Sequence, residues 1–279
     1  MPIKLRMSSM IAALAAVVLT ANPAPLSAAG FETAPHRAVY EFKLKSARRD
    51  SGIVDIRGGM TYEIVDACDG WTVNQKIVLG MINRQNRQIR SVTSYSSWES
   101  KDGRRFRFNS RTLRNGRLSE QYRGTATLAR DGSGGEAVFT RPKLQKMKLA
   151  RGAIFPTAHS ELVMKLAQKG ERFVWRVLFD GTTNEGPYGV SAWMGKPRGT
   201  GAGDEIKVQQ VVGDRLGVGK FWAVKLAFFP SNSRASAPEY ELNVAMHPNS
   251  VARWLTMDYG NFVIYARLMK MQALAKASC

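Results

Sequence analysis

Three Asp-Gly pairs, Asp69-Gly70, Asp102-Gly103 and Asp131-Gly132, each stand between two runs of alternating apolar and polar residues. Asp-Gly is a strong hairpin signal, because the tight turn joining two antiparallel strands needs residues that tolerate positive φ. A chain that repeats this device commits itself to a sheet. "GGMTYEIVDA" and "WTVNQKIVLGM" flank the first turn, "TSYSSWES" and "RRFRFNSRTL" the second, and "LSEQYRGTATLA" and "EAVFTRP" the third. Upstream, "HRAVYEFKL" puts Tyr40, Phe42 and Leu44 on one face and Glu41, Lys43 and Lys45 on the other. Downstream, "RFVWRVLFDG", "YGVSAWMG", "IKVQQVVG", "KFWAVKLAFF", "YELNVAM", "VARWLTM" and "NFVIYARL" continue the pattern.

One segment breaks it. "FPTAHSELVMKLAQKGE" places Leu162, Val163 and Leu166 at helical spacing, with Thr157 as the expected N-cap and Gly170 as the stop. The fold class is therefore all-β: a single large antiparallel sheet, spiral-like or partly closed, with one short helix. So many strands must curl to protect their edges and cover one face. Such a curl with a helix against it encloses a groove or cavity.

The first residues address the compartment. Lys4 and Arg6 precede an apolar run from Ile11 to Leu19, and small residues follow around Ser27, Ala28 and Ala29. This is the layout of a secretory signal peptide, and Asn22, Pro23 and Pro25 keep the apolar run too short to span a membrane. Residues 1–29 are expected to be removed, leaving 30–279 as one soluble periplasmic domain. Export bears on the two cysteines, Cys68 and Cys279, since disulfides persist in oxidising compartments. One bridge between them is expected to fasten the two ends of the curl; the alternative is two unpaired thiols. No CxxC redox motif is present.

The chain carries 41 Lys+Arg against 22 Asp+Glu. Without the leader's Lys4 and Arg6 the balance is still +17, a surplus that attracts polyanions. "GRRFRFNSRTLRNGR" concentrates it: Arg105 and Arg107 share one strand face while Phe106 and Phe108 share the other. A solvated outer face explains that alternation. A sharper reading makes Arg104, Arg105, Arg107, Arg111 and Arg114 a docking surface for anionic head groups, such as envelope lipid or lipopolysaccharide phosphates, through arginine's bidentate geometry. Nucleic acid is excluded as a partner by export.

Catalytic and metal motifs are missing from the sequence. His36, His159 and His247 lack cysteine or carboxylate partners at ligand spacing and are expected to be structural, His159 by hydrogen-bonding a neighbouring loop. "YGVSAWMG" puts Trp193 where a nucleophile elbow needs glycine, and "GVGKFW" puts Phe221 where a phosphate loop needs Ser or Thr. Ser160 beside His159 makes an exported hydrolase the weakest of the alternatives. No cofactor is expected. Trp71, Trp98, Trp175, Trp193, Trp222 and Trp254 are expected to be mostly core.

"HRAVYEF", "CDGWTVNQ", "SYSSWESKDGRRFRFNSRT", "FPTAHS", "PEYEL", "MDYGNF" and the terminal cysteine, in that order, resemble the EipB cell-envelope integrity family of Gram-negative bacteria. "MHPNS" departs from the family pattern, where a simpler turn is expected. The resemblance implies a periplasmic β-spiral with a disulfide between the positions matching Cys68 and Cys279. It also implies a shape similar to periplasmic lipoprotein carriers, support of the envelope under stress, and no enzymatic activity. The expected function is non-enzymatic maintenance of the envelope by binding an envelope component or another periplasmic protein. The alternative is a carrier holding a lipid or acyl chain in the curved sheet.

Overall fold

The computed structural model describes residues 33–199, 216–231 and 236–279. The expected leader, the expected strand in "IKVQQVVG" and most of the glycine-rich connection before it lie outside the described residues. The chain runs β1 (His36–Ala47), β2 (Ile53–Asp66), β3 (Gly70–Asn83), β4 (Gln88–Ser100), β5 (Arg105–Arg114), β6 (Arg117–Leu128), β7 (Gly135–Arg141), β8 (Gln145–Leu149) and β9 (Ala153–Ile154). Then come α1 (Pro156–Gln168), β10 (Phe173–Leu178), β11 (Tyr188–Arg198), β12 (Phe221–Pro230), β13 (Tyr240–Met246), β14 (Ala252–Asp258) and β15 (Phe262–Ala273).

All these strands belong to one sheet, ordered β8-β7-β6-β5-β4-β3-β2-β1-β15-β14-β13-β12-β11-β10-β9. The first and last strands, β1 and β15, pair at its centre. Its edges are β8 and β9, consecutive in the chain and separated only by residues 150–152. Four residues of extended chain span at most about 14 Å, so the two edges must lie close together. The sheet is therefore curled into a nearly closed, barrel-like ribbon. Phenylalanines seal the seam: Phe106, Phe108 and Phe139 from one side pack in one buried cluster with Phe155 and Phe179 from the other. Phe106 stacks on Phe155 at 4.8 Å, and Phe108 meets Phe179 edge-on at 5.5 Å. Gly181 follows closely, at φ +70°, and a Cβ there would lie 2.3 Å from the Phe108 ring. The edge strand β8, "QKMKL", points Lys146 and Lys148 outward, which discourages pairing with another sheet.

One pair departs from the expected antiparallel meander: β9 and β10 run parallel. Parallel neighbours need a crossover, and α1 is that crossover. Its Val163, Met164 and Ala167 are buried in the same cluster as Tyr40, Phe42, Met60, Val190, Val224 and Ile264 from the inner face of the sheet. The helix fills the curl. Its start corrects the expected Thr157 cap: Phe155 occupies the N-cap position without a side-chain cap bond. The Thr157 and Ala158 N–H groups instead donate to the Glu99 carboxylate of β4, at 2.7 and 2.8 Å. Gly170, at φ +90°, ends the helix. The "MHPNS" turn places Ser250 at φ +68° and lets the Asn249 carbonyl accept from the Ala34 N–H, docking the segment before β1.

Candidate functional site

The basic surface is built by period-two alternation on β5. Phe106, Phe108 and Ser110 are buried, while Arg105, Arg107 and Arg111 are exposed. Register extends this face sideways. Arg111 stands opposite Ser94, which stands opposite Lys76; Asn109 stands opposite Ser96 and Arg123. Trp98 lies opposite Arg107, and the Arg107 and Arg105 guanidinium groups sit 4.8 and 5.3 Å from its ring centre. Stacking on an indole orients a guanidinium while leaving its N–H donors in the ring plane free for a ligand. Among the described residues, none of Lys76, Arg105, Arg107, Arg111 and Arg123 has a carboxylate within ion-pair distance.

Two expected members are not on this face. Arg104 is held in the β4–β5 turn by Asp102, whose Oδ2 accepts from Nε and Nη2 at 2.9 and 2.6 Å. Those two bonds, with one from Ser100, hold the Asp102 carboxyl down at about 2. Arg114 alternates onto the other face, opposite Ser91. Lys76 and Arg123 take their places, and only strand register reveals them.

Beside the arginines the outer face dips into a depression of about 380 Å³, lined among others by Lys76, Asn74, Ser94, Ser96 and Asn109, with Arg37 and Glu63 at one side. Arg37 and Glu63 pair with each other. The remaining groups offer amide and hydroxyl donors and acceptors beside uncompensated positive charge. That chemistry suits a phosphorylated or hydroxyl-rich ligand.

Cys68 and Cys279 are joined by a disulfide. Cys68 is the positive-φ residue of the β2–β3 turn, at φ 64°, with its N–H donated to the Asp66 carboxylate. The Lys101 ammonium group pairs with the same carboxylate at 2.9 Å and lies over the Trp71 ring. The bridge does not fasten the ends of the curl as expected. It ties the segment after β15 to the β2–β3 turn, spanning β1 at the middle of the sheet, while the curl closes at β8 and β9. The chain termini and the sheet edges are different places.

The interior holds titratable groups that sequence reading missed or misplaced. Glu99 is 2% exposed, and burial lifts its carboxyl to about 7 despite the two helix N–H donors. No sequence signal singles it out, since the strand alternation that turns it inward normally carries an apolar residue. His159 is buried, its pKa pushed down to about 4 by burial and by Arg176, and its Nε2 has no hydrogen-bond partner. It does not bond a loop as expected. His36 and His247 each hydrogen-bond a backbone carbonyl through Nδ1, Ala34 and Lys220 respectively. Trp71 and Trp222 are core, but Trp175 and Trp193 are exposed. No described helix is long and apolar enough to cross a membrane.

Fold and site together define a barrel-like β protein with a helix-filled interior and a positively charged outer face. The chain belongs to the EipB-like family, which matches residues 27–275. It is 30% identical over 250 residues to the cell envelope integrity protein EipB of Brucella abortus (strain 2308), covering 88% of this chain and 86% of that protein. Among solved structures it resembles a β-barrel-like protein of a domain of unknown function from Brucella abortus. That match has a TM-score of 0.79 and 28% identity, and covers 88% of this chain and 100% of the other.

Proposed function

We propose that this protein maintains the integrity of the cell envelope from the periplasm, without catalysis, by binding an anionic envelope component on the outer face of β3–β6. The observation that carries the reading is the set of exposed cations, Lys76, Arg105, Arg107, Arg111 and Arg123, without carboxylate partners among the described residues and beside a polar depression. Uncompensated like charges on one face oppose folding slightly and favour a polyanion. Arg105, Arg107 and Arg111 grip phosphate oxygens, and Asn74, Ser94, Ser96 and Asn109 hydrogen-bond the sugar or amide portion of the ligand. The leader at residues 1–29 delivers the chain to this ligand and is cleaved. The likeness to a relative named for envelope integrity supports the role.

The interior supports a carrier role less. An acyl chain inside the curl would have to displace Val163, Met164 and Ala167 of α1 from the core. Native mass spectrometry that found one lipid per chain would reinstate the carrier.

The test is complementation. A strain lacking the protein, carrying the Arg105→Glu/Arg107→Glu/Arg111→Glu variant, is expected to stay permeable to an excluded dye under envelope stress although the variant folds. Ser160→Ala is expected to restore the barrier fully. Restoration by the triple variant would remove the outer face from the function, and failure of Ser160→Ala would reopen the hydrolase reading.

A further inference from the structure

On β10 and β11 the outward positions hold large aromatic residues. Val174, Ala192 and Met194 turn inward and are buried, while Phe173, Trp175 and Trp193 turn outward and are 46%, 51% and 57% exposed. Phe173 and Trp193 are register partners with ring centres 4.6 Å apart. Trp175 lies one step along β10, and its indole rests against Gly189 of β11, where a Cβ would come within 3.2 Å of it. The patch is continuous across both strands and has no cover.

Its surroundings are basic. The Phe173–Trp193 pair lies where β10 begins and β11 approaches its end, and Lys169, Arg172, Lys196 and Arg198 are exposed at that same end, with Glu171 the acidic residue among them. The Arg172 guanidinium is fixed there, donating from Nη1 to the Gly195 carbonyl at 2.6 Å. On the other side of Trp193, Lys225 is neutralised by Glu241 at 2.8 Å.

We propose that Phe173, Trp175 and Trp193 form a bilayer-docking patch, with their rings at the headgroup level of an anionic phospholipid surface and Lys169, Arg172, Lys196 and Arg198 facing its phosphates. Area selects this occupant over a second copy of the chain. Half-exposed aromatic side chains of this size present roughly 350 Å² together, well below the roughly 800 Å² per partner of a stable protein interface. A bilayer interface needs no matching shape, favours Trp in particular, and gains from each ring and each nearby cation separately. The patch is distinct from the arginine face of β5, and neither reading rests on the other.

The experiment is vesicle flotation of the full chain with phosphatidylglycerol–phosphatidylethanolamine liposomes, at low salt and again at high salt. Wild type is expected to float in both, weakened but not released at high salt. Each of Phe173→Ser, Trp175→Ser and Trp193→Ser is expected to lower the vesicle partition coefficient on the order of tenfold. Their melting temperatures should not change, because the side chains are outside the core. Emission from Trp175 and Trp193, isolated by difference against the serine variants, is expected to shift to shorter wavelength on binding. Wild type that fails to float would overturn the proposal, as would serine variants that float equally well. A change of oligomeric state in the serine variants would overturn it in favour of self-association. Flotation abolished only by Arg105→Glu/Arg107→Glu/Arg111→Glu would likewise overturn it, and leave the β5 face as the sole lipid contact.

Discussion

Replacing Cys279 by serine isolates what the disulfide does. Both sulfurs are on the surface, so the variant loses little packing in the folded state. The segment it releases keeps its own anchor, the Leu274 N–H donated to the Pro35 carbonyl at 3.0 Å. The effect must therefore run through the unfolded chain. With a sequence separation of 211 residues, the loop-entropy relation gives about 5 kcal/mol at 25 °C. Unfolding entropy of about 2.1 cal/mol/K per residue over about 245 residues is about 0.5 kcal/mol/K. Dividing the two gives a fall in Tm of about 10 °C. The assay is thermal and urea unfolding followed by circular dichroism for the oxidised protein, the reduced protein, Cys68→Ser, Cys279→Ser and the double variant. All four bridge-less forms should melt together, because each removes the same cross-link, and their urea m-values should exceed that of the oxidised protein. Bridge-less forms melting within about 1 °C of wild type would refute the reasoning. So would single-variant shifts that add in the double variant, which would mean each cysteine acts through local contacts.

Glu99 predicts a pH signature. Its folded pKa of about 7 lies above the ordinary 4.5, so between those values the folded protein keeps a proton that the unfolded chain releases, and stability falls as pH rises, by up to about 3 kcal/mol. His159 and His247, both lowered to about 4, act in the opposite sense below about pH 6.5. The quantity to measure is therefore wild type minus Glu99→Gln, and a pH-independent difference would contradict the assignment. At the seam, Phe108→Ala and Phe179→Ala should each cost about 3–5 kcal/mol and combine to less than their sum, since the rings touch; strict additivity in urea melts would argue against a shared cluster. Gly181→Ala should destabilise strongly for two reasons, its φ of +70° and the Phe108 ring 2.3 Å from the new Cβ; a wild-type melting curve would contradict the closed seam.

Much of the sheet was legible because alternation and Asp-Gly turns are local. Tyr40 and Phe42 turn inward, and Arg105, Arg107 and Arg111 outward, as period two requires. Strand order is not local. Nothing in the alternation says that β1 pairs with β15, so the cysteines could be expected to bond but not placed, and they fall at the centre of the sheet instead of at its edges. Arg114 shows a parity error: it lies an odd number of residues from Arg111 on a strand that keeps its register with β4, and so reverses face. Trp175 and Trp193 were expected inside because tryptophan usually is. On β10 and β11 both faces carry apolar residues, and composition cannot say which is the core. Glu99 was invisible, since a buried carboxylate capping a helix 58 residues away is a tertiary event.

The most direct measurement is the affinity of wild type and of Arg105→Ala/Arg107→Ala/Arg111→Ala for lipopolysaccharide micelles over a salt series. Screening shortens from about 10 Å at 0.1 M to about 3 Å at 1 M ionic strength, so wild-type binding should fall steeply across that range, while the variant should bind weakly throughout with a shallower slope. Equal affinity and equal salt dependence for the two proteins would contradict a role for the β5 face.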